Sequence, residues 1–348
     1  MKQVTIELTP LFIIDVFSIT TSVMLGFLFL TITSENKKAN TYLALFLWAL
    51  SLEILDSFQE GIHNFYIAII PTVFLTIPLL FLYVDCTLNR KQNYLILLIL
   101  LPWTLLLIFD LNIEALKIIE YIFNITILIL VLRRIKDIQV KVENYYSEIE
   151  NKTLQWIKTI VYIYLFFHAF WILEDIIDLT DQSITLYFAA ISSILTFFMI
   201  YWIAYKGFSQ IDIFKENLFS NVIVQKLNTQ ENDTQKQFDR LVYQIEDEKI
   251  YLDQNLNLRL LSERVGVKEK ELSKLINYHT ENNFYYFINT FRVNAFKILL
   301  SSEKANQLSL LGLANEAGFT SKSTFYTAFK KLEGVTPKQY QKQIKESE

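Results

Sequence analysis

The stretch "LSLLGLANEAGFTSKSTFYTAFKKLEGVTPKQYQ", Leu308–Gln341, decides how the C-terminal part of this chain folds. Leu310, Leu311 and Ala314 give a short helix one apolar face. Gly318 follows, with a backbone free to turn. Ser321 stands where its hydroxyl can accept the free amides of a second helix. Phe325 and Phe329 lie four apart and so share an inward face. Lys322, Ser323, Thr324 and Thr327 are left facing out. Two short helices about a tight turn, the second with a polar outer face, make a helix-turn-helix.

About fifty residues upstream the same pattern occurs in "LNLRLLSERVGVKEKELSKLINYHT", Leu256–Thr280. Leu258, Leu261 and Val265 form the buried stripe of a first helix, Gly266 the turn, and Leu272, Leu275 and Ile276 the stripe of a second. Its outer face is expected to carry Lys270, Ser273, Lys274 and Asn277. Between the two motifs, "FYYFINTFRVNAFKILL" (Phe284–Leu300) reads as one strong apolar helix able to hold them at fixed spacing. From Gln254 to Lys345 there are fourteen Lys or Arg against seven Asp or Glu, although the whole chain has a net charge of −4.

In a helix-turn-helix the second helix enters the major groove. The expected base-facing residues are therefore Lys270, Ser273, Lys274 and Asn277 in the first motif, with Lys322, Ser323, Thr324 and Thr327 in the second. Lysines there can reach guanine O6 and N7 or phosphate, and the hydroxyls and amide can donate and accept at base edges. Lys330, Lys331 and Lys338 are placed for phosphate, which fixes register without reading sequence. Any one of these lysines alone would read as a solvated surface charge; the weight lies in the pair of helices.

Two such motifs on one long helix resemble the AraC family of transcription regulators. The signature GF-x-S-x-S-x-F-x-x-x-FKK-x-x-G-x-TP-x-x-Y stands here as Gly318, Phe319, Ser321, Ser323, Phe325, Phe329, Lys330, Lys331, Gly334, Thr336, Pro337 and Tyr340. "YLDQNLNLRLLSERVGV", "LSKLIN" and "NFYYFINTFRVNAFKILL" match the first half. The resemblance runs over Tyr251–Gln343, about a quarter of the chain. It implies two adjacent major-groove segments read from one face of double-stranded promoter DNA, RNA polymerase as a partner, and a structural Arg292 held in an internal ion pair. The sequence departs from the family pattern at Lys268, where a capping Ser or Thr is usual, at Gly312 inside a helix, and at Gln341, where an Arg is common.

The remaining two-thirds is apolar, in a chain with 52% hydrophobic residues, 28 Phe and only 7 Gly. Seven stretches approach the roughly 20 apolar residues that cross about 30 Å of hydrocarbon: Pro10–Thr33, Thr41–Gln59, Phe65–Leu88, Tyr94–Phe109, Ile113–Leu132, Leu154–Ile177 and Ile184–Tyr205. Lysines and arginines mark alternate loops: Lys37 and Lys38; Arg90 and Lys91; Arg133, Arg134, Lys136, Lys141 and Lys152; and Lys206. Such loops are cytoplasmic. The alternation places the N-terminus outside and the C-terminus in the cytoplasm, in the inner membrane. The first stretch has a nearly neutral start and a long apolar run, and so reads as a retained helix rather than a cleaved signal. A seven-helix region ahead of the DNA-binding domain resembles the membrane-bound subset of the family.

The expected architecture is therefore all-α. Residues 1–206 form a polytopic transmembrane helical bundle, 207–250 a cytoplasmic coupling segment, and 251–348 the AraC-type domain with two helix-turn-helix motifs joined by a long helix. Within the coupling segment, Asn228–Gln237 reads as a solvated hinge. Beyond it Phe238, Val242, Ile245 and Leu252 form a stripe that either covers its own domain or contacts a second copy.

Ionisable groups inside hydrocarbon are costly unless paired or hydrated. Glu53, Asp56, Glu60 and His63 share a face by their 3-4-3 spacing. His168, Trp171, Asp175 and Asp178 share another, and Asp15 and Glu120 lie in further spans. Glu53, Asp56, Glu60, His63, His168 and Asp175 are the candidate sensor site for a small molecule or cation, set against simple hydration at the interface. The single Cys86 excludes an intrachain disulfide and a cysteine zinc cluster. No nucleotide-binding glycine loop or nucleophile–base pair is legible, so no enzyme, metal or cofactor is expected.

The sequence thus reads as a one-component sensor: a membrane-bound DNA-binding regulator, acting as an activator and a homodimer. It would couple a membrane or external signal, small-molecule or protein, to promoter binding. The other readings are a transporter or enzyme with an appended regulator, and a membrane anchor released by proteolysis.

Overall fold

The computed structural model describes residues 9–33, 36–60, 70–88, 94–109, 112–149, 154–177, 182–209 and 231–347. Among them the chain is all-α, without a β-strand; Tyr146 and Asn257 form an isolated antiparallel bridge. The chain divides into two compact units. One comprises Met1–Asp137 with Leu154–Glu216, the other Ile138–Thr153 with Asn217–Glu348.

The first unit contains α1 (Pro10–Thr31), α2 (Lys37–Glu60), α3 (Thr76–Leu88), α4 (Leu101–Phe109), α6 (Gln155–Ile177), α7 (Gln182–Ser209) and most of α5 (Ile113–Glu143). Thr9 caps α1 through Phe12 N (3.1 Å), with Pro10 at the first helical position, where its missing N–H costs nothing. Helices α1 and α2 approach closely at Gly26: a Cβ there would lie 2.2 Å from the Trp48 indole nitrogen, which instead donates to Val23 O at 3.2 Å. Buried Asp85 of α3 meets Arg134 of α5 at 3.2 Å.

Large apolar side chains also cover the outside of this unit: Ile118 is 74% exposed, Ile108 71% and Tyr187 71%. A surface of that kind is unstable in water, and a helix apolar on all sides belongs in a core or a membrane. Among the described residues, four helices are long and apolar enough to cross one: Pro10–Thr31, Ala115–Glu143, Gln155–Leu173 and Tyr187–Phe208. Two further apolar helices, Thr76–Thr87 and Ile96–Phe109, are shorter. The expectation of seven spans is thus met by four. The α2 segment is diluted by Lys37, Lys38, Glu53, Asp56 and Glu60, and the fourth stretch begins as a 3-10 helix over Tyr94–Leu100.

The second unit has two small cores joined by one helix. Its elements are α8 (Glu231–Asp247), α9 (Leu258–Val265), α10 (Glu269–Thr280), α11 (Phe284–Leu300), α12 (Leu310–Glu316), α13 (Lys322–Glu333) and α14 (Pro337–Ser347). Leu258, Leu261, Leu272, Leu275 and Ile276 pack on Phe284 and Ile288 of α11. Leu313, Ala314, Phe325 and Phe329 pack on Val293 and Phe296 further along α11. The 17 residues of α11 span about 25 Å, so this one helix sets the separation of the two motifs. Phe238, Leu241, Val242 and Ile245 of α8 join the first core. Of the expected stripe, Phe238, Val242 and Ile245 thus cover their own domain, while Leu252 is exposed. Of the expected hinge, Glu231–Gln237 is helical and Thr234 is buried, because α8 extends back to Glu231; residues 228–230 lie outside the described residues.

Candidate nucleic-acid interface

Each motif is built by its caps. Asn257 accepts Leu260 N at 2.8 Å to start α9, and Gly266, with φ 68°, ends it. Ser309 starts α12 by accepting Gly312 N at 3.1 Å, so Gly312 sits in the first turn with its amide satisfied. Ser321 starts α13 by accepting Thr324 N at 3.0 Å, as its position in the sequence predicts. Lys268 precedes α10 without a side-chain cap, and Glu269 and Glu271 occupy that first turn instead. Gly318 is constrained twice. Its φ is 96°, and a Cβ would lie 2.8 Å from Tyr251 O and 3.2 Å from Arg292 Nε.

The expected DNA-facing residues separate into three groups. Lys270, Lys322, Ser323, Thr327, Lys330, Lys331 and Lys338 are exposed; Lys274 and Asn277 are half-buried. Ser273 and Thr324 are 3% and 2% exposed, not outward-facing. Each lies at the margin of its helix's apolar stripe, beside Leu272 and Phe325 respectively, where packing beyond the helix decides exposure.

Thr324 shows what that packing is. The segment Glu143–Ile149, at and after the end of α5, is built into this unit. Tyr145 O accepts Leu258 N at 2.8 Å, and Ser147 donates from N (3.4 Å) and Oγ (2.6 Å) to Leu256 O. Glu143 accepts Asn283 Nδ2 at 3.0 Å. Tyr145 packs on the first core and Ile149 on the second. The Glu148 carboxylate accepts hydroxyl hydrogen bonds from Thr320 (2.8 Å), Ser321 (3.1 Å) and Thr324. It therefore lies at the N-terminus of α13, where the helix dipole favours negative charge. The N-terminal end of α13 is thus covered by a carboxylate from elsewhere in the chain.

Arg292 lies beneath this segment and is fully buried. It donates to the carbonyls of Tyr251 (2.8 Å), Asp253 (2.8 Å) and Ser147 (3.4 Å), to Ser147 Oγ (3.1 Å) and to Asn289 Oδ1 (3.4 Å). The expected internal ion pair is thus replaced by a cradle of carbonyl and side-chain oxygens. Burial lowers its pKa to about 10, opposed by the nearby charges of Glu148 and Asp253. The role of Glu143–Ile149 is not legible in the sequence. The segment has no helical period, and its partners lie more than a hundred residues away.

The candidate sensor residues are also sorted. Glu53 and Asp56 line a cavity in the first unit with His168. Asp175 does not line it; it is half-exposed and pairs with Lys117 at 2.7 Å and Tyr121 at 2.8 Å across α5 and α6. The Glu60 side chain, His63 and Asp178 lie outside the described residues.

A family model described as a helix-turn-helix domain matches residues 261–343. Uncharacterized HTH-type transcriptional regulators of Staphylococcus aureus strains COL, MSSA476 and N315 are each 33% identical over 92 residues, covering 26% of this chain. The matched part spans only 12% of the length of each of these relatives. No solved structure matches the chain. The paired motifs and these likenesses together make the C-terminal unit similar to the helix-turn-helix domains of transcription regulators.

Proposed function

We propose that the protein is a membrane-bound transcription regulator whose apolar helices sense a signal and whose Glu143–Ile149 segment carries it to the DNA-binding unit. The observation that carries this reading is that α5, apolar over the length of a membrane span, runs directly into a segment hydrogen-bonded to both helix-turn-helix motifs. That segment and residues 231–347 must therefore lie on one side of the membrane. The same side is favoured by Arg133, Arg134, Lys136 and Lys141 under the rule that positive loops are cytoplasmic. The full bundle would have seven crossings, with the shorter apolar helices completing it and the N-terminus outside. Operator binding by paired copies and recruitment of RNA polymerase, with activation as the outcome, complete the reading.

DNA binding would use Lys270, Lys274 and Asn277 of α10 and Lys322, Ser323 and Thr327 of α13 at base edges, with Lys330, Lys331 and Lys338 on phosphates. Glu148 places negative charge where a phosphate approaching α13 would come, so release of the segment would favour binding. The test is crosslinking and immunoprecipitation of full-length protein from membranes, with Lys322→Ala/Thr327→Ala as control. Sharp promoter peaks that vanish in the control are expected. Peaks that persist unchanged would overturn the assignment of α13.

A further inference from the structure

We infer that the cavity lined by α1, α2, α3, α5, α6 and α7 binds a small organic cation, an amine or quaternary ammonium carrying an apolar group; this rests on the sensor reading above. The cavity holds about 470 Å³, within the range of small-molecule sites and many times the roughly 30 Å³ of one water. Asp15, Glu53 and Glu120 line it from three different helices, and no Lys or Arg stands among its described lining residues. The hydrogen bonds to Glu53 and Glu120 come from neutral groups, with the Lys117 charge also near Glu120. Thr76 donates to Glu53 at 2.6 Å and Asn124 to Glu120 at 3.2 Å.

A second observation points to a ligand independently of the acids. His168 is 2% exposed; its Nδ1 lies 2.8 Å from Tyr164 O, while Nε2 has no hydrogen-bond partner. Tyr164 and Asn124 line the same cavity, and Tyr164 Oη and Asn124 Oδ1 are buried and likewise have no hydrogen-bond partner. Buried polar atoms are ordinarily satisfied, so three around one cavity suit an occupant with polar groups of its own.

The wall chemistry selects the class. Phe167, Tyr164 and Trp171 line the cavity together with the carboxylates, and aromatic rings combined with acids favour an alkylated ammonium over a hydrated ion. No group of three or more metal-ligating side chains occurs among the described residues, and the cavity is far larger than one ion needs. On α1 and α5 the lining positions fall in the half of the helix away from Thr31 and Glu143, and on α7 they run across the middle of the helix, from Ser192 to Met199. In the proposed orientation that half of α1 and α5 faces outside, which gives an external ligand access.

The test uses full-length protein in nanodiscs, with thermal stability read against choline, benzylamine and spermidine. The neutral isostere of choline, 3,3-dimethylbutanol, and acetate serve as controls. At least one cation should stabilise saturably while both controls do not, and Glu53→Gln should weaken its apparent affinity at least tenfold. If Glu53→Gln fails to fold, Asp15→Asn reads the same contrast. No saturable shift with any of the three cations, or an equal shift with the neutral isostere, overturns the inference. Operator binding, measured on the same preparation, separates that failure from failure of the regulator reading.

Discussion

Ser321 donates from Oγ to Glu148 Oε1 at 3.1 Å while the same hydroxyl oxygen accepts Thr324 N at 3.0 Å. One serine thus caps a recognition helix and holds a carboxylate 173 residues away in sequence against it. Glu148→Gln keeps the size of the side chain and removes its charge. Its effect on duplex binding should be electrostatic: about 1 kcal/mol, or roughly fivefold tighter, at low salt. The gain should shrink as salt is raised, since charge effects near a surface are screened. Fluorescence anisotropy of operator DNA with full-length protein in nanodiscs measures this. Weaker binding by Glu148→Gln at every salt concentration would show instead that the carboxylate positions α13 for DNA.

Arg292 and Ser147 form the deeper part of the same junction, at 3.1 Å from Nη2 to Oγ. Arg292→Met should destabilise the second unit by about 3–5 kcal/mol, because several buried oxygens lose their donor. Ser147→Ala should cost about 1–2 kcal/mol. The two changes should be non-additive by at least about 0.5 kcal/mol, as for residues in one network. Hydrogen exchange of the α11 amides reads each value, and additive costs would dissolve the proposed network. The charge on Arg292 makes no pH-dependent contribution below its folded pKa of about 10. Its folded value lies below the ordinary one, so the penalty for burying the cation is fully present at neutral pH. That penalty is relieved only as pH rises above about 10.

The two motifs are legible in the sequence because their information is local. Leu258, Leu261 and Phe325 repeat at helical spacing, and Ser321 and Gly266 mark ends by chemistry confined to one turn. Ser273 and Thr324 depart from their expected exposure because helical period fixes only direction around the axis. What covers the margin of a stripe comes from another element, and for Thr324 that element is Glu148. In the apolar unit, the shared face of Glu53 and Asp56 is legible from their spacing. The removal of Asp175 from the cavity is not, because Lys117 sits on a different helix, 58 positions away.

Gly318 offers a test of the close approach at the turn between α12 and α13. With φ at 96° and an added Cβ only 2.8 Å from Tyr251 O, alanine meets strain from the backbone and from a rigid carbonyl together. Gly318→Ala should destabilise the unit by about 3 kcal/mol or more, combining left-handed strain with overpacking. Gly266→Ala has the same backbone problem at φ 68° but nothing within 4 Å of its Cβ. It should cost only about 1–2 kcal/mol. Equal losses at the two sites, measured by hydrogen exchange in α10 and α13, would remove the close approach from the explanation.

The exposed lysines should divide by what they touch on DNA, and salt should separate them. Lys330 and Lys331 lie in the last turn of α13, and Lys338 lies in the first turn of α14. Each is expected to meet phosphate. Replacing one by Ala should weaken binding to all sequences alike and lower the slope of log K against log salt by about 1. Lys322 and Thr327, on the outer face of α13, should behave differently. Their loss should cost about 1–3 kcal/mol at the operator and little on random duplex, because base-edge contacts carry the discrimination. Salt titrations on operator and scrambled DNA distinguish the two. If Lys322→Ala lowered affinity equally on both duplexes with the full unit change in slope, Lys322 would be a phosphate contact, and base reading by α13 would rest on Ser323 and Thr327.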